Sequence, residues 1–380
     1  MVSSLLFAAL VASLFVFSSA GAAVGSPSKT PGASASSSGS SVGLAASSDS
    51  TGPKLLNSCT VEGQATDVAY DPADGYVYVT NQGEGGLFPN DTISIVKPPC
   101  TVLKTLSTAN GFYGPNEIAY DPLTREIVAT DPYAGLAYVL QGTSLVKTVT
   151  LAASGLFGCP GGVAWDPAVD AMLVADSIYT GSCARGPGFG GVDLLYLSEK
   201  NGLTQASFKL DAFDPGNSPG VVLVADGYIF SAGQTVDVFN DRTLAYMGSF
   251  AVGVYPLDLA LAWDPLDNTV VLGREACGVG PYDNVLFLNA DSIQSGKFTF
   301  SQLHAHGILW CGAGGVAYSP ATREVYVTSF GGYDVWAVSK TGALTHVYLG
   351  PRGGALGLAY DPVTHDMYVC AGTDTLFVIH

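Results

Sequence analysis

Charge is what this 380-residue chain has least of. Only 12% of its residues are Asp, Glu, Lys or Arg, and its Lys and Arg number 15 against 32 Asp and Glu, for a net charge of −17. The basic residues form no cluster, which excludes the footprint of a nucleic-acid or anionic-membrane binder. A chain so poor in charge must build its surface largely from Ser, Thr, Tyr, Asn and Gly. The acidic balance itself is read first as a solubility device. No CxxC pair occurs among the seven cysteines, which excludes zinc-ribbon and thioredoxin-type sites. No GxSxG, HExxH, P-loop or Rossmann fingerprint stands in a fitting context, so the common hydrolase, zinc-protease and nucleotide-binding signatures are missing too.

What is present begins with export signals. An apolar run from Leu5 to Phe17 is followed by small residues, Ala20 and Ala22 among them. Residues 1–23 are therefore expected to be a secretory signal peptide, with an uncleaved N-terminal membrane anchor as the competing reading. Either one places the rest of the chain outside the cytoplasm, secreted or at the cell surface, and leaves the N-terminal segment as the only contact with a membrane. Residues 24–53 are Ser, Gly, Ala, Thr and Pro with almost no bulky apolar side chain, the composition of a flexible stalk. Asn90-Asp91-Thr92 is an N-glycosylation sequon. In an exported protein disulfides are the default state of cysteine, and an odd count leaves at least one thiol unpaired or paired with another chain.

The folded part is written in repeats. Ala69-Tyr70-Asp71-Pro72 returns as Ala119-Tyr120-Asp121-Pro122, Ala164-Trp165-Asp166-Pro167, Ala262-Trp263-Asp264-Pro265, Ala317-Tyr318-Ser319-Pro320 and Ala359-Tyr360-Asp361-Pro362. Successive copies are 50, 45, 98, 55 and 42 residues apart, and the gap of 98 hides one more copy at Pro219–Val224 that has lost its Asp-Pro. A period of 40–50 residues marks a repeat architecture. Each period holds a short apolar strand, a turn in which Pro, Asp and Gly supply the geometry, a second strand rich in β-formers, and two more strands. Four antiparallel strands per period is the blade of a β-propeller. The fold is expected to be all-β, a seven-bladed β-propeller over residues 54–380. The last period shows only three strands, Ala355–Tyr360, Asp366–Cys370 and Thr375–Ile379. Lys54–Val61 is expected to supply the fourth, completing the last blade and removing an open sheet edge.

Tyr78-Val79-Thr80-Asn81 is a YVTN motif, with near copies at Val325-Tyr326-Val327-Thr328-Ser329 and Met367-Tyr368-Val369-Cys370. The chain resembles the YVTN-repeat β-propellers of archaeal surface layers and other extracytoplasmic proteins. More distantly, it is similar to NHL-type and lactonase-like propellers. The resemblance implies a propeller fold and a surface setting. Since this fold hosts adhesion modules, ligand binders and enzymes, it does not by itself choose among them.

Several residues stand out against the repeat. Asp67 and Glu117 fall at the same place in adjacent blades, where units three, six and seven carry Gly162, Gly315 and Gly357. They are expected side by side at the mouth of the axial channel, able to share a divalent cation or to act as acid and base. The lactonase-like resemblance implies an acidic metal site of that kind. His304-Ala305-His306 puts two imidazoles on one side of a strand, with Cys311 nearby, a set suited to copper or zinc. Cys311 has a second use. Cys159 and Cys311 enter first strands, while Cys183 and Cys277 follow second strands. Cys159–Cys183 and Cys277–Cys311, separated by 24 and 34 residues, are therefore expected disulfides that pin long Gly-rich loops. Cys59, Cys100 and Cys370 are placed on strands without a partner scheme. Tyr179, Phe189, Tyr282 and Trp310, together with Phe112 and Tyr113, lie in loops on that same face, where exposed aromatics suit recognition of a glycan or protein. The series Asn81, Asp131, Asp176 and Ser329 is read as residues that bond their own turn backbone.

The expected function is a non-enzymatic cell-surface or envelope module for binding, adhesion or assembly. Its partner is a protein, a glycan or a copy of itself, and it needs no cofactor. The alternative is a lactonase- or gluconolactonase-like, metal-dependent hydrolase with Asp67 and Glu117 at the channel mouth.

Overall fold

The computed structural model describes residues 52–82, 91–107, 112, 114–151, 157–179, 192–198, 204–206, 220–233, 235–251, 259–274, 285–295, 300–303, 313–329, 332–339, 341–350 and 354–380. The signal or anchor segment and all but the last two residues of the expected stalk lie outside these, as do Asn90, His304, His306 and Cys311.

The described strands form seven four-stranded antiparallel sheets in a β-propeller fold. Sheet 1 runs Gln64–Asp71, Tyr76–Gln82, Thr92–Lys97 and Thr101–Leu106. Sheet 2 runs Ile118–Asp121, Glu126–Asp131, Leu136–Gln141 and Ser144–Thr150. Sheet 3 runs Phe157–Asp166, Ala171–Tyr179, Val192–Ser198 and Thr204–Ala206. Sheet 4, the copy without Asp-Pro, runs Val221–Ala225, Tyr228–Ala232, Thr235–Asn240 and Tyr246–Ala251. Sheet 5 holds Leu259–Asp264, Thr269–Arg274, Val285–Asn289 and Phe300–Leu303. Sheet 6 holds Ala313–Ser319, Glu324–Ser329, Asp334–Ser339 and Leu344–Tyr348. Sheet 7 takes Ala355–Tyr360, Met367–Ala371 and Thr375–Ile379, and its outer strand is Leu55–Thr60 from the other end of the chain. That strand pairs antiparallel with Thr375–Ile379, and Lys54 and His380 exchange backbone hydrogen bonds of 2.8 and 3.0 Å. The first strand of each sheet lies beside the first strand of the next, and Gln64–Asp71 lies beside Ala355–Tyr360.

The Asp-Pro of the repeat makes the turn between first and second strands. The Asp71 carboxylate accepts the Ala73 N–H at 2.7 Å, and Asp166, Asp264 and Asp361 do the same two residues on. Asp121 accepts from Leu123 and Thr124. This is the Asx-turn that Asp favours, and Pro supplies its preset φ. The fifth residue of each turn is left-handed: Gly75 at φ 73°, Arg125 58°, Asp170 52°, Asn268 51°, Arg323 60° and His365 67°. Glycine occupies the position once, and five side-chain-bearing residues are held there by the turn. Sheet 4 replaces the whole turn with Asp226-Gly227, both left-handed, as a two-residue hairpin requires.

The repeat's tyrosines join sheets. Tyr78 is fully buried, and its hydroxyl lies 2.7 Å from the Asp74 carboxylate and 2.8 Å from the Gly142 carbonyl in sheet 2. The tyrosines of the Ala-Tyr-Asp-Pro copies do not fill the blades. They are only partly buried and instead meet the turn of the preceding sheet. Tyr120 interacts with Asp71, Tyr318 with Asp264, Tyr360 with Ser319, and Tyr70 with Asp361 across sheets 1 and 7. Burial, then the facing carboxylate, pushes the Tyr70 phenol up to about 12.

Cys59 and Cys100 form a disulfide, a pairing the sequence pattern left open. Cys100 lies in the turn between the third and fourth strands of sheet 1, not on a strand. The bond therefore ties the outer strand of sheet 7 to sheet 1. With the partners 41 positions apart, loop entropy puts its contribution at about 4 kcal/mol.

Candidate functional site

Each sheet is entered and left at the same end, and there the first strands of sheets 1, 3, 6 and 7 carry a bulge. In sheet 1 Ala65 opposes Asn81 and Asp67 opposes Thr80, so Thr66 is the extra residue. Sheets 3, 6 and 7 break register at the same place, leaving Gly162, Gly315 and Gly357 where sheet 1 has Asp67. The reason is close approach. A Cβ on Gly162 would stand 2.7 Å from the Val221 Cα, and one on Gly315 would run into the Leu356 carbonyl of the next sheet. Only glycine fits between backbones this near.

Asp67 takes up the space this arrangement leaves. It sits between Gly357, where a Cβ would meet the Asp67 Cα at 2.7 Å, and sheet 2, where its carboxylate accepts the Ile118 N–H at 3.1 Å. It also hydrogen-bonds the Glu117 side chain. The two carboxyls expected side by side are thus in contact. Burial pushes the Asp67 carboxyl up to about 7, while the N–H groups of Val68 and Ile118 and the bond to Glu117 oppose the rise.

Three further side chains that the sequence pattern did not single out belong here. Gln82 donates to the Asn116 amide oxygen at 3.0 Å across sheets 1 and 2, and Gln64 faces Gln82 in register. Asn116 could have been found, since it precedes Glu117 directly. Cys370 occupies in sheet 7 the place of Thr80 in sheet 1. Its buried thiol is free, raised by burial and then by the nearby Asp67. The threonines at this place staple sheets. Thr80 donates to the Asn116 carbonyl at 2.6 Å, Thr130 to Gly161 at 2.7 Å and Thr328 to Leu356 at 2.6 Å.

The donor set is two carboxyls beside an amide pair bonded to itself, and an oxygen cage for a dication takes more ligands than two carboxyls. Among the described residues no three His, Cys, Asp or Glu side chains converge as metal ligands. The arrangement suits proton exchange with, or hydrogen bonding to, a hydroxyl or amine at the axis.

Other expected sites divide. Asp131 bonds its own turn, accepting from the Tyr133 and Ala134 N–H groups, and it also takes the Tyr138 hydroxyl at 2.7 Å. Asn81 departs from that expectation. It is buried and its amide reaches the third strand, at Thr92 and Ser94. Phe112 is no recognition residue, because it is fully buried edge-on against Tyr138 at 4.4 Å. Tyr179 ends a strand of sheet 3 and Cys159 lies on its first strand, opposite Ser177. Cys183, Cys277, Phe189, Tyr282 and Trp310 lie outside the described residues, so neither expected loop disulfide is tested.

No family model matches the chain, and no curated protein matches it in sequence. Solved structures do. A streptogramin B lyase structure superposes with a TM-score of 0.64 at 10% identity, covering 86% of this chain and 97% of that one. The Cps50 (Swd1) β-propeller domain of Myceliophteria thermophila superposes with a TM-score of 0.59 at 10% identity, covering 86% and 99%. These likenesses show a β-propeller fold, carried by neighbours of different function.

Proposed function

We propose that the chain is a non-enzymatic extracytoplasmic binding module of the YVTN-repeat kind. It is a seven-bladed propeller closed by Leu55–Thr60, which engages a protein, a glycan or a second copy of itself at the cell surface. The observation that carries this reading is the strand order. In each antiparallel sheet the link from second to third strand and the link to the next sheet fall at the end where Asp67 and Glu117 meet. The strands that flank segments 83–90, 180–191, 275–284 and 304–312 all terminate at that end. A rigid scaffold offering long loops at one end is a common setting for recognition. The Cys59–Cys100 disulfide and the low charge fit an exported protein. Pairing of Leu55–Thr60 with the last strand and the Tyr70–Asp361 contact both favour closure.

The test places a photoreactive amino acid at Tyr179 in the exported full-length chain. Irradiation of intact cells is expected to yield a discrete adduct with a surface protein, a glycoprotein or a second copy. A chain that stays free on irradiated cells refutes the reading. The second reading is a hydrolase of the lactonase kind, favoured by the raised Asp67 carboxyl beside Glu117. Turnover of simple lactones that Asp67→Asn and Glu117→Gln both abolish would establish it, and metal analysis of the active protein would show whether a divalent ion takes part.

A further inference from the structure

We propose that the outer face of sheet 6 is a second binding surface, one that takes a neutral saccharide. In its register Asp334 opposes Tyr348, Trp336 opposes His346 and Val338 opposes Leu344. These alternate residues share one face. Trp336 and His346 stack at 4.4 Å with their planes 15° apart. Tyr348 and Tyr333 meet edge to face at 6.3 Å. The Asp334 carboxylate lies 3.6 Å from the His346 ring. The row is open to solvent: Tyr348 is 54% and Tyr333 40% exposed, and the His346 side chain 51%. Underneath, Trp336 packs on the apolar seam between sheets 5 and 6, which fixes the platform from below.

The repeat supplies a comparison within the chain. Pairing register places Thr148 of sheet 2, Thr105 of sheet 1, Ser249 of sheet 4 and Ser58 of sheet 7 where sheet 6 has His346. Thr150, Ala251 and Thr60 stand where it has Tyr348. Beneath them the place of Trp336 varies, with Tyr138 in sheet 2, Phe377 in sheet 7, Ser94 in sheet 1 and Asp237 in sheet 4. Folding this repeat therefore does not require rings at the places of His346 and Tyr348, because its sister sheets are built with small residues there. Sheet 6 has exchanged them for the exposed His346 and Tyr348, joined by the exposed Tyr333 over the partly buried Trp336, a cluster that an isolated apolar surface residue would not explain.

Chemistry names the occupant. A pyranose has an apolar C–H face that stacks on aromatic rings and a rim of hydroxyls that bond carboxylate, imidazole and phenol. The row offers both, in the exposed rings of Tyr348, Tyr333 and His346 and in the Asp334 carboxylate beside them. Its formal charge is the Asp334 carboxylate, on a chain of net charge −17, so an anionic sugar is repelled and a neutral one is not. The surface lies on the outer strands and is separate from the axial carboxyl pair, so it stands whether or not the function proposed above does.

The full-length protein would be titrated with three neutral probes: cellohexaose, mannohexaose and chitohexaose. Intrinsic fluorescence reports Trp336, and calorimetry reports affinity. A saturable signal with at least one probe is expected. Tyr348→Ala together with Tyr333→Ala should weaken it about tenfold or more, since each ring contributes stacking and area. Both side chains are about half exposed, so thermal unfolding of this variant should match the parent and show that folding is intact. Trp336→Phe should quench the response. No binding of any probe at millimolar concentration overturns the proposal. So does undiminished binding by the double variant, which would move the sugar to another site. Loss of binding in Asp67→Asn with the double variant unaffected would likewise assign it to the axis.

Discussion

The two ends of the propeller obey different rules. At one end, six turns that begin at Asp71, Asp121, Asp166, Asp264, Ser319 and Asp361 share one geometry, down to the left-handed fifth residue. At the other end, equivalent positions at the start of the first strands differ from sheet to sheet: Asp67, Glu117, Gly162, Gly315 and Gly357. The first end repeats because the turn is a local object, satisfied by its own Asp, Pro and backbone. The second varies because each bulge meets its neighbour's backbone. One residue must make room for the next, and a departure in one sheet changes what the adjacent sheet can carry. Gly357 and Asp67 are such a pair.

The largest test of this contrast is steric. Gly315→Ala puts a methyl against the Leu356 carbonyl, a backbone atom that cannot swing away. The expected cost is about 3 kcal/mol, as for overpacking that shifts backbone. Chemical denaturation measures it, and a loss below about 1 kcal/mol would mean the inner strands are not held as tightly as their spacing implies. Next in size is Asp121→Ala at the turn end. It removes an acceptor from the Leu123 and Thr124 N–H groups and from the Thr124 hydroxyl. The expected cost is about 2 kcal/mol, the range for losing a buried, charged acceptor. A cost equal to that of Gly315→Ala would erase the distinction between a local and a neighbour-dependent device.

How much of this could be read in the residues follows the same division. Ala-Tyr-Asp-Pro announced the turns, and the strands at Ala355–Tyr360 and Thr375–Ile379 have the bounds their patterns imply, while the strand expected at Asp366–Cys370 runs one residue later, Met367–Ala371. Period-two alternation and turn chemistry are local, so a single sequence displays them. The meeting of Asp67 with Glu117 was also legible, because repeat alignment puts both at one place in adjacent sheets. Partners across sheets without a repeat signature were not. Cys59 and Cys100 are joined by packing at the seam of sheets 7 and 1, and nothing in their spacing shows it. Phe112 looked like a loop aromatic because the residue that buries it, Tyr138, lies in another strand. The Ala-Tyr-Asp-Pro tyrosines are only partly buried, and Tyr70 and Tyr120 meet the carboxylate of the preceding turn, a contact that no local pattern shows.

A smaller effect separates the ends by pH. Folded Asp67 keeps its proton to about pH 7, whereas an unfolded aspartate loses it near pH 4. Between these values the folded state binds more protons, so the contribution of Asp67 is greatest at low pH and is lost as pH rises to about 7. The protein should therefore melt at a higher temperature at pH 5 than at pH 8. Asp67→Asn should flatten that slope. Some slope should remain, because burial also lifts the turn residue Asp166, to about 6, with the same sign. Parallel pH profiles for Asp67→Asn and the parent would place the pH response elsewhere.

The smallest effect is the one most specific to the turn end. Arg323 sits at φ 60°, where a side chain on a β-carbon costs energy and glycine does not. Its backbone N–H donates to the Ser319 carbonyl at 2.8 Å, a bond that glycine keeps. Arg323→Gly therefore relieves left-handed strain of about 1–2 kcal/mol and gives back part of it through the freer unfolded chain. A net gain of about 0.5 kcal/mol is expected, read as a small rise in unfolding midpoint with unchanged denaturant slope. Arg323→Ala is the control, since it removes the same charge and long side chain but keeps the β-carbon. If alanine stabilises as much as glycine, the gain belongs to the side chain and not to the backbone, and the shared fifth position would lose its standing as the signature of this end.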